Sequence, residues 1–334
     1  MSDAPRATRL LDCHFHWYPQ AVEDGLNRVN GNTRRHSADW FDLEGQLARM
    51  DALGRRVDVI SSTGPFTGLF TGIDAGNSRA LTRLYNETMA DGQRRHPGRV
   101  WGTCVLPLLD TDAALAELEY AVGTLGLVGV NLPGRIGPSD NLDAPRLEAL
   151  YARIEQLGVP IFVHPNDEAF EPVLPGYDGA LHLSLGRVID VSVSAYRLVL
   201  SGLMERHPDL RIAVSHTGGA LPYQAGRMDK NSGAAKLPKP PTEYLHRMYT
   251  DTVSPHTAGV RFAVEFYGAD KVMYGSDYPC WDPDAALRII DELDLDDDSL
   301  DKICYANAYR LYGLDRYASA AAVSPDEPLA ATAG

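Results

Sequence analysis

The sequence predicts a (β/α)8 barrel, on three observations. Eight short apolar runs alternate with segments whose apolar residues recur every three or four positions, the pattern of strand then helix repeated along the chain. Most of these runs are nearly continuous in apolar character, as parallel strands buried on both faces should be. Four of them end in residues able to do chemistry: Leu10–Phe15 carries His14 and ends at His16, Val159–Val163 ends at His164, Leu210–Ser215 ends at His216 and Val272–Ser276 ends at Asp277. In a closed barrel these ends share one mouth, and strands one and eight lie side by side; a doubly wound open sheet, the alternative, would normally hold them far apart.

The elements follow in order. After the first strand comes a long polar insertion, about 18–39, containing Arg34, Arg35 and His36; a connection of that length in a compact domain is usually functional or mobile. Leu43, Leu47, Met50 and Leu53 have helical spacing and Gly54 stops that helix before strand two, Val57–Ile60. A helix over 80–95 ends at His96-Pro97-Gly98 and leads to strand three, Val100–Leu106. A helix over 112–125 precedes strand four, Leu127–Leu132, and one opened by Pro145 and closed by Gly158 precedes the strand to His164. A long helix over 187–205, stopped at His207-Pro208, leads to the strand to His216. A short helix near 222–228, strand seven at Tyr249–Thr252, a helix over 256–267, strand eight and helices near 283–293 and 299–312 complete the barrel, a single domain over 1–317. Residues 318–334, rich in Ala, Ser and Pro, read as a disordered tail.

Composition narrows the function. The 334 residues are 44% hydrophobic and 23% charged, ordinary for a soluble globular protein, and the net charge of −14 argues against a nucleic-acid surface. No apolar stretch is long enough to span a membrane and the N-terminus lacks signal-peptide features, so a cytoplasmic protein is expected. Cys13, Cys104, Cys280 and Cys304 show no CxxC spacing, which gives neither a zinc knuckle nor a disulfide framework.

Residues two apart on a strand share a face, so the imidazoles of His14 and His16 converge on one point. With His164 and Asp277 they make a set of three nitrogens and a carboxylate, suited to one divalent ion: zinc first, with manganese or iron as alternatives, and no organic cofactor. Four protein ligands leave a position for water or substrate. Such an ion lowers the pKa of its water towards roughly 7 and polarises substrate oxygens, and His216 beside it is the acid/base. Asp251, at the end of strand seven, either orients His216 or caps a helix. Gly218-Gly219 either permits close backbone approach to substrate or forms the turn into the next helix. His182, His246 and His256 lack companions and read as structural.

Asp12-x-His14-x-His16, Val163-His164-Pro165, Ser215–Gly219, Tyr249-Thr250-Asp251, Lys271–Pro279 and Asn307-Ala308 occur together. In these motifs the chain, over about 10–314, resembles the amidohydrolase superfamily, in the branch containing aminocarboxymuconate-semialdehyde decarboxylase and γ-resorcylate decarboxylase. The resemblance implies metal ligands at His14, His16, His164 and Asp277, and His216 as acid/base. It implies that Arg227 reaches the substrate carboxylate across a dimer interface, hence a homodimer or dimer-based oligomer, with a second arginine at Arg34 or Arg35. It also implies one of two routes, Asp277 as proton donor to an aromatic substrate or hydroxide added to the substrate before CO2 is lost with His216 as base, and the sequence does not choose between them. The muconate-semialdehyde enzymes have tryptophan where this chain has Asn166, which points to a different substrate and makes Asn166 a candidate substrate contact. Phe15, Trp17 and Tyr18 either line an aromatic wall or pack in the core. The expected activity is non-oxidative decarboxylation of a small hydroxylated aromatic or enol-type carboxylic acid. A hydrolase or hydratase on the same site is the alternative, and a barrel with a purely structural metal the non-catalytic one.

Overall fold

Each apolar run becomes a short parallel strand in the computed structural model, which describes residues 7–31, 36–62, 73–137, 140–166 and 173–318. Among the described residues the strands are β1 (Arg9–His16), β2 (Arg56–Ser62), β3 (Val100–Gly102), β4 (Val130–Pro133), β5 (Ile161–His164), β6 (Ile212–Val214), β7 (Tyr249–Asp251) and β8 (Val272–Met273). They pair in chain order, β1 to β3 and β4 to β8. Two bridges join these sets. Cys104 pairs with Val130 between β3 and β4, and Phe15 pairs with Tyr278 beyond β8. Backbone hydrogen bonds from Cys13 N to Tyr274 O (2.9 Å) and from Asp277 N to His14 O (2.8 Å) tie first strand to last. The ring is therefore closed, as the sequence predicts, and no edge strand is left there to be capped.

Outward-facing residues such as Val59, Val130, Val163 and Val214 pack with helix residues Met89, Leu118, Ile154 and Leu198. Inward-facing Leu11, Cys13, Ile60, Phe162, Ala213 and Met273 form a second cluster with Ala308, Leu311, Tyr312 and Leu314. The last helical turns thus fill the lumen beneath the mouth. No helix among the described residues is long and apolar enough to cross a membrane.

Several elements differ from expectation for local reasons. The insertion over 18–39 contains a helix, Gln20–Asn30, which buries Val22, Glu23 and Gly25 and stops at Gly31 in the left-handed conformation. Its polar composition hides it, because the burying face is narrow. The helix expected over 187–205 breaks at Gly202 (φ 73°) into Arg187–Leu200 and Leu203–Arg206. Strands six and eight end early, at Val214 and Met273, and their functional residues lie on turns beyond them. The tail read over 318–334 lies, from 319 onwards, outside the described residues, as do Arg34 and Arg35.

Candidate metal centre and active site

A bulge in β1 sets the site. Asp12 is in register with Val59 and Phe15 with Ser61, so β1 carries one extra residue in between. An extra residue reverses the in–out alternation above it. Below the bulge Leu11 and Cys13 face the lumen; above it His14 does, its ring 5.3 Å from that of inward-facing Phe162, and Phe15 is turned outward into the helix layer. On β5 the alternation runs unbroken from Phe162 to His164. His216 and Asp277 reach the mouth by a different device, since both take left-handed backbone conformations (φ 56° and 59°) just past their strands. Non-glycine residues rarely adopt that region.

The four side chains expected to hold the ion meet. One ligand atom from each of His14, His16, His164 and Asp277 lies within 4.8 Å of all the others, and all four residues are buried. Asp277 Oδ1 is 2.8 Å from His16 Nε2 and 3.3 Å from His14 Nε2. His14 Nε2 and His164 Nε2 are buried without hydrogen-bond partners. Orphaned inward-facing nitrogens next to a carboxylate are costly unless something accepts their lone pairs, and a divalent cation fits that need. The outer nitrogens are fixed: His14 Nδ1 by Asp251 Oδ2 (2.7 Å), His16 Nδ1 by Ser62 O (3.3 Å) and His164 Nδ1 by Pro165 O (3.0 Å). Such contacts fix the tautomer and aim the free nitrogen. Gly275 is required beside them, because a Cβ there would meet His14 Cβ at 2.9 Å.

Asp251 therefore positions His14. Its other oxygen accepts from Thr217 N (3.1 Å) and Val253 N (3.0 Å), so it also holds the turn that carries His216. Asp12 stitches the two ends of the barrel: Oδ1 accepts from His14 N (3.1 Å) and Ser276 N (3.0 Å) and Oδ2 from Ser276 Oγ (2.5 Å). Burial pushes Asp12 up to about 7 against these donors.

Electrostatics separates the histidines. Burial, then the charge of His14, lowers His216 to about 4, and burial with the neighbouring imidazoles pushes His164 well below the ordinary histidine value. Burial also lowers His16. These three are neutral and keep a lone pair to give. Burial opposes charge on His14 as well, but Asp277 and Asp251 overcome it and raise His14 to about 10. A proton and a cation compete for the same Nε2. Asp277 is held far below the usual carboxylate range: burial would raise it, and His14 and His16 outweigh that.

Above the cluster opens a cavity of about 610 Å3, walled by His216, Asp277, Trp40, Arg187, Val253 and Trp281 among others. The Trp40 ring lies nearly parallel to that of His16, centroids 5.8 Å apart. His36 also lines the cavity, and its ring nitrogen bonds to Glu23 and to the Tyr18 hydroxyl. Other expected contacts lie elsewhere. Asn166 is buried and bonds through its amide to Arg135, donating to the carbonyl at 2.6 Å and accepting from the N–H at 3.2 Å; it anchors the loop after β4 and is not part of the cavity wall. Phe15 and Trp17 are core residues, Phe15 turned outward by the bulge and Trp17 donating to Phe41 O (3.1 Å). Arg227 is exposed on the helix Leu221–Asn231, outside the cavity wall of its own chain. Gly218 and Gly219 (φ 75° and 60°) form the turn into that helix, where a Cβ on Gly219 would strike Ser192 and Val188.

Arg187 and Trp40 were not singled out from sequence. Arg187 lies inside the continuous helical stretch over 182–200 that follows β5, and no sequence signal marks it.

The amidohydrolase family profile matches residues 11–314. The chain belongs to the amidohydrolase family. Among its relatives is γ-resorcylate decarboxylase of Rhizobium radiobacter, 27% identical over 328 residues, covering 91% of this chain and 98% of that protein. The crystal structure of 2,6-dihydroxybenzoate decarboxylase from Rhizobium superposes with a TM-score of 0.79 at 26% identity, covering 92% of this amidohydrolase and 99% of that chain. A dihydroxybenzoic acid decarboxylase from Polaromonas sp. JS666, solved with manganese and the inhibitor 2-nitroresorcinol, shares the fold with a TM-score of 0.80, 23% identity and coverage of 92% and 98%.

Proposed function

We propose that this amidohydrolase is a metal-dependent non-oxidative decarboxylase, a carboxy-lyase, acting on a small aromatic acid with a hydroxyl ortho to the carboxylate. The observation that carries this reading is the His14, His16, His164 and Asp277 cluster opening onto a largely apolar cavity with His216 in its wall. The relatives' activities on dihydroxybenzoates support it. The donor set suits zinc, and manganese, as in the Polaromonas protein, is the alternative.

A divalent ion held by His14, His16, His164 and Asp277 would supply positive charge that stabilises the negative charge developing on the substrate. The chain's own residues move the protons. His216, neutral and with its Nε2 buried without a partner, takes up the hydroxyl proton. Asp277, ionised before substrate binds, takes up a solvent proton as the incoming carboxylate, a like charge beside it, raises its proton affinity. It delivers that proton to the ring carbon bearing the carboxylate. The carbon–carbon bond then breaks with its electron pair returning to the ring, and CO2 leaves. His216 returns its proton to the product oxygen and Asp277 is left ionised for the next cycle. Trp40 and Trp281 give the ring flat apolar surface and keep water out.

Arg227, exposed on its own subunit, contacts the substrate in a neighbouring copy within a homodimer, and the enzyme works in the cytoplasm. Metal-loaded protein offered a panel of 2-hydroxybenzoates should release CO2 from at least one. Release from none, with lactones or amides hydrolysed instead, overturns the reading.

A further inference from the structure

Trp40 joins the metal-binding cluster to His36 along the cavity wall. Its ring packs on His16, a member of the cluster, and its centroid lies 4.6 Å from that of the His36 ring. An aromatic acid laid on Trp40 with its oxygens at the cluster therefore turns its opposite edge to His36. The His36 side chain is held from one side. Its backbone N–H donates to Glu23 Oε1 (3.2 Å), its Nδ1 lies 2.5 Å from Glu23 Oε2, and the Tyr18 hydroxyl donates to that same oxygen (3.1 Å). A ring nitrogen so close to a carboxylate oxygen needs a proton between them, so Nδ1 is the donor and the neutral ring keeps its lone pair on Nε2. Every bond that His36 makes to a described residue uses Nδ1 or the backbone N–H, which leaves Nε2 unused. Its direction follows from the walls. His36 lines both the cavity and an outer hollow shared with Gln20, Glu23, Phe41 and Asp42, whereas Glu23 lines the hollow alone. Nδ1 thus turns outward to Glu23, and Nε2, on the other side of Cε1, turns to the cavity. The His36 side chain keeps 18% of its surface exposed, while Glu23 is buried. Fixing one imidazole nitrogen on a carboxylate sets the tautomer and aims the other.

We propose that His36 is a specificity residue whose Nε2 accepts a hydrogen bond from a second substituent of the aromatic acid, an uncharged hydroxyl or amino group on the ring edge away from the cluster. The inference rests on the reading of this cavity as the pocket for a hydroxylated aromatic acid. It narrows that class to acids with one hydroxyl beside the carboxylate and a further hydrogen-bond donor across the ring. An ether at the same place cannot donate, so it leaves Nε2 without its bond.

Calorimetric titration of metal-loaded protein with nitro analogues tests this, because a nitro group resembles the carboxylate in shape and cannot leave as CO2. The reference probe is 2-nitrophenol. Nitrohydroquinone and 4-nitroresorcinol add a hydroxyl, 4-amino-2-nitrophenol and 5-amino-2-nitrophenol an amine, and 4-methoxy-2-nitrophenol and 5-methoxy-2-nitrophenol an ether at the same positions. Wild type, His36→Leu and His36→Gln are compared at equal metal content and at a pH where the added group is uncharged. In wild type at least one hydroxyl or amino probe is expected to bind about three- to tenfold more tightly than its methoxy counterpart, the scale of one hydrogen bond. His36→Leu removes that preference and changes 2-nitrophenol binding by less than about twofold, while His36→Gln, whose side-chain oxygen can accept, keeps part of it. The probe that gains tells hydroxyl from amine. No donor probe preferred over its ether in wild type, a preference that survives His36→Leu, or an equal loss for 2-nitrophenol overturns the proposal. CO2 release from the 2-hydroxybenzoates is read separately. A preference that depends on His36 in a protein that releases none sinks the decarboxylase reading and leaves His36 in its role, and release without that preference does the reverse.

Discussion

Below the bulge in β1 the barrel lumen is filled by Leu11, Cys13, Phe162 and Met273 packed on Leu311 and Tyr312; above it, the same strands fill the lumen with three imidazoles and two carboxylates. The lower half is complete in itself, since apolar atoms need only each other. The upper half is not. The Nε2 atoms of His14 and His164 lack partners, its carboxylates are buried, and its proton affinities are pulled apart in both directions. One barrel thus carries a floor that stabilises the fold and a mouth that is balanced only when a cation joins it.

Substitutions should break the two halves in opposite ways. The largest effect is expected from Asp277→Asn, which removes the negative ligand and the proton donor together: CO2 release per folded molecule falls by at least about 10^3-fold. Release assays and denaturant titration on the same preparation check this. Asp251→Asn, which frees the His14 ring, should weaken metal affinity by about 10- to 100-fold, read by competition with a chelator. Because protonated His14 excludes the cation, that affinity should also drop as pH is lowered in wild type.

In the floor, Leu11→Ala should cost about 2–5 kcal/mol of stability and leave metal content per folded molecule unchanged. A loss of metal with no loss of stability would erase the distinction between the halves. The smallest effect is expected far from both. Glu148, gripped by Arg206 at 2.9 Å through each oxygen, is depressed below its ordinary 4.5. Its contribution is full above that value and is lost as pH falls through the depressed one. Glu148 is substantially exposed, so solvent screening keeps the contribution under about 1 kcal/mol. Glu148→Gln should flatten the acid limb of stability against pH by that amount.

The floor could be read from sequence and the mouth only partly. Apolar period and helix stops foretell the strands and most helices, because burial of Leu11, Phe162 or Leu311 depends on spacing alone. His14, His16, His164 and Asp277 could be grouped because strand ends share one face of a barrel. The bulge could not be foreseen, as nothing in Asp12-Cys13-His14 marks the extra residue, and so the outward turn of Phe15 and the core burial of Trp17 stayed ambiguous with an aromatic wall. Asn166, offered as a candidate substrate contact, is a related case: a residue beside a motif histidine can bond to the backbone, here that of Arg135. Asp251 reads from sequence as either orienting His216 or capping a helix, whereas its short contact is with His14, a pairing 237 positions apart that only the closed ring creates.

The most direct test of the cation-dependent mouth is diffraction from crystals of the metal-loaded protein, recorded on both sides of the metal's absorption edge. One anomalous peak per chain among His14, His16, His164 and Asp277 is the expected result. Stoichiometrically loaded crystals with no peak at that place, or with the ion seated elsewhere, would contradict the account.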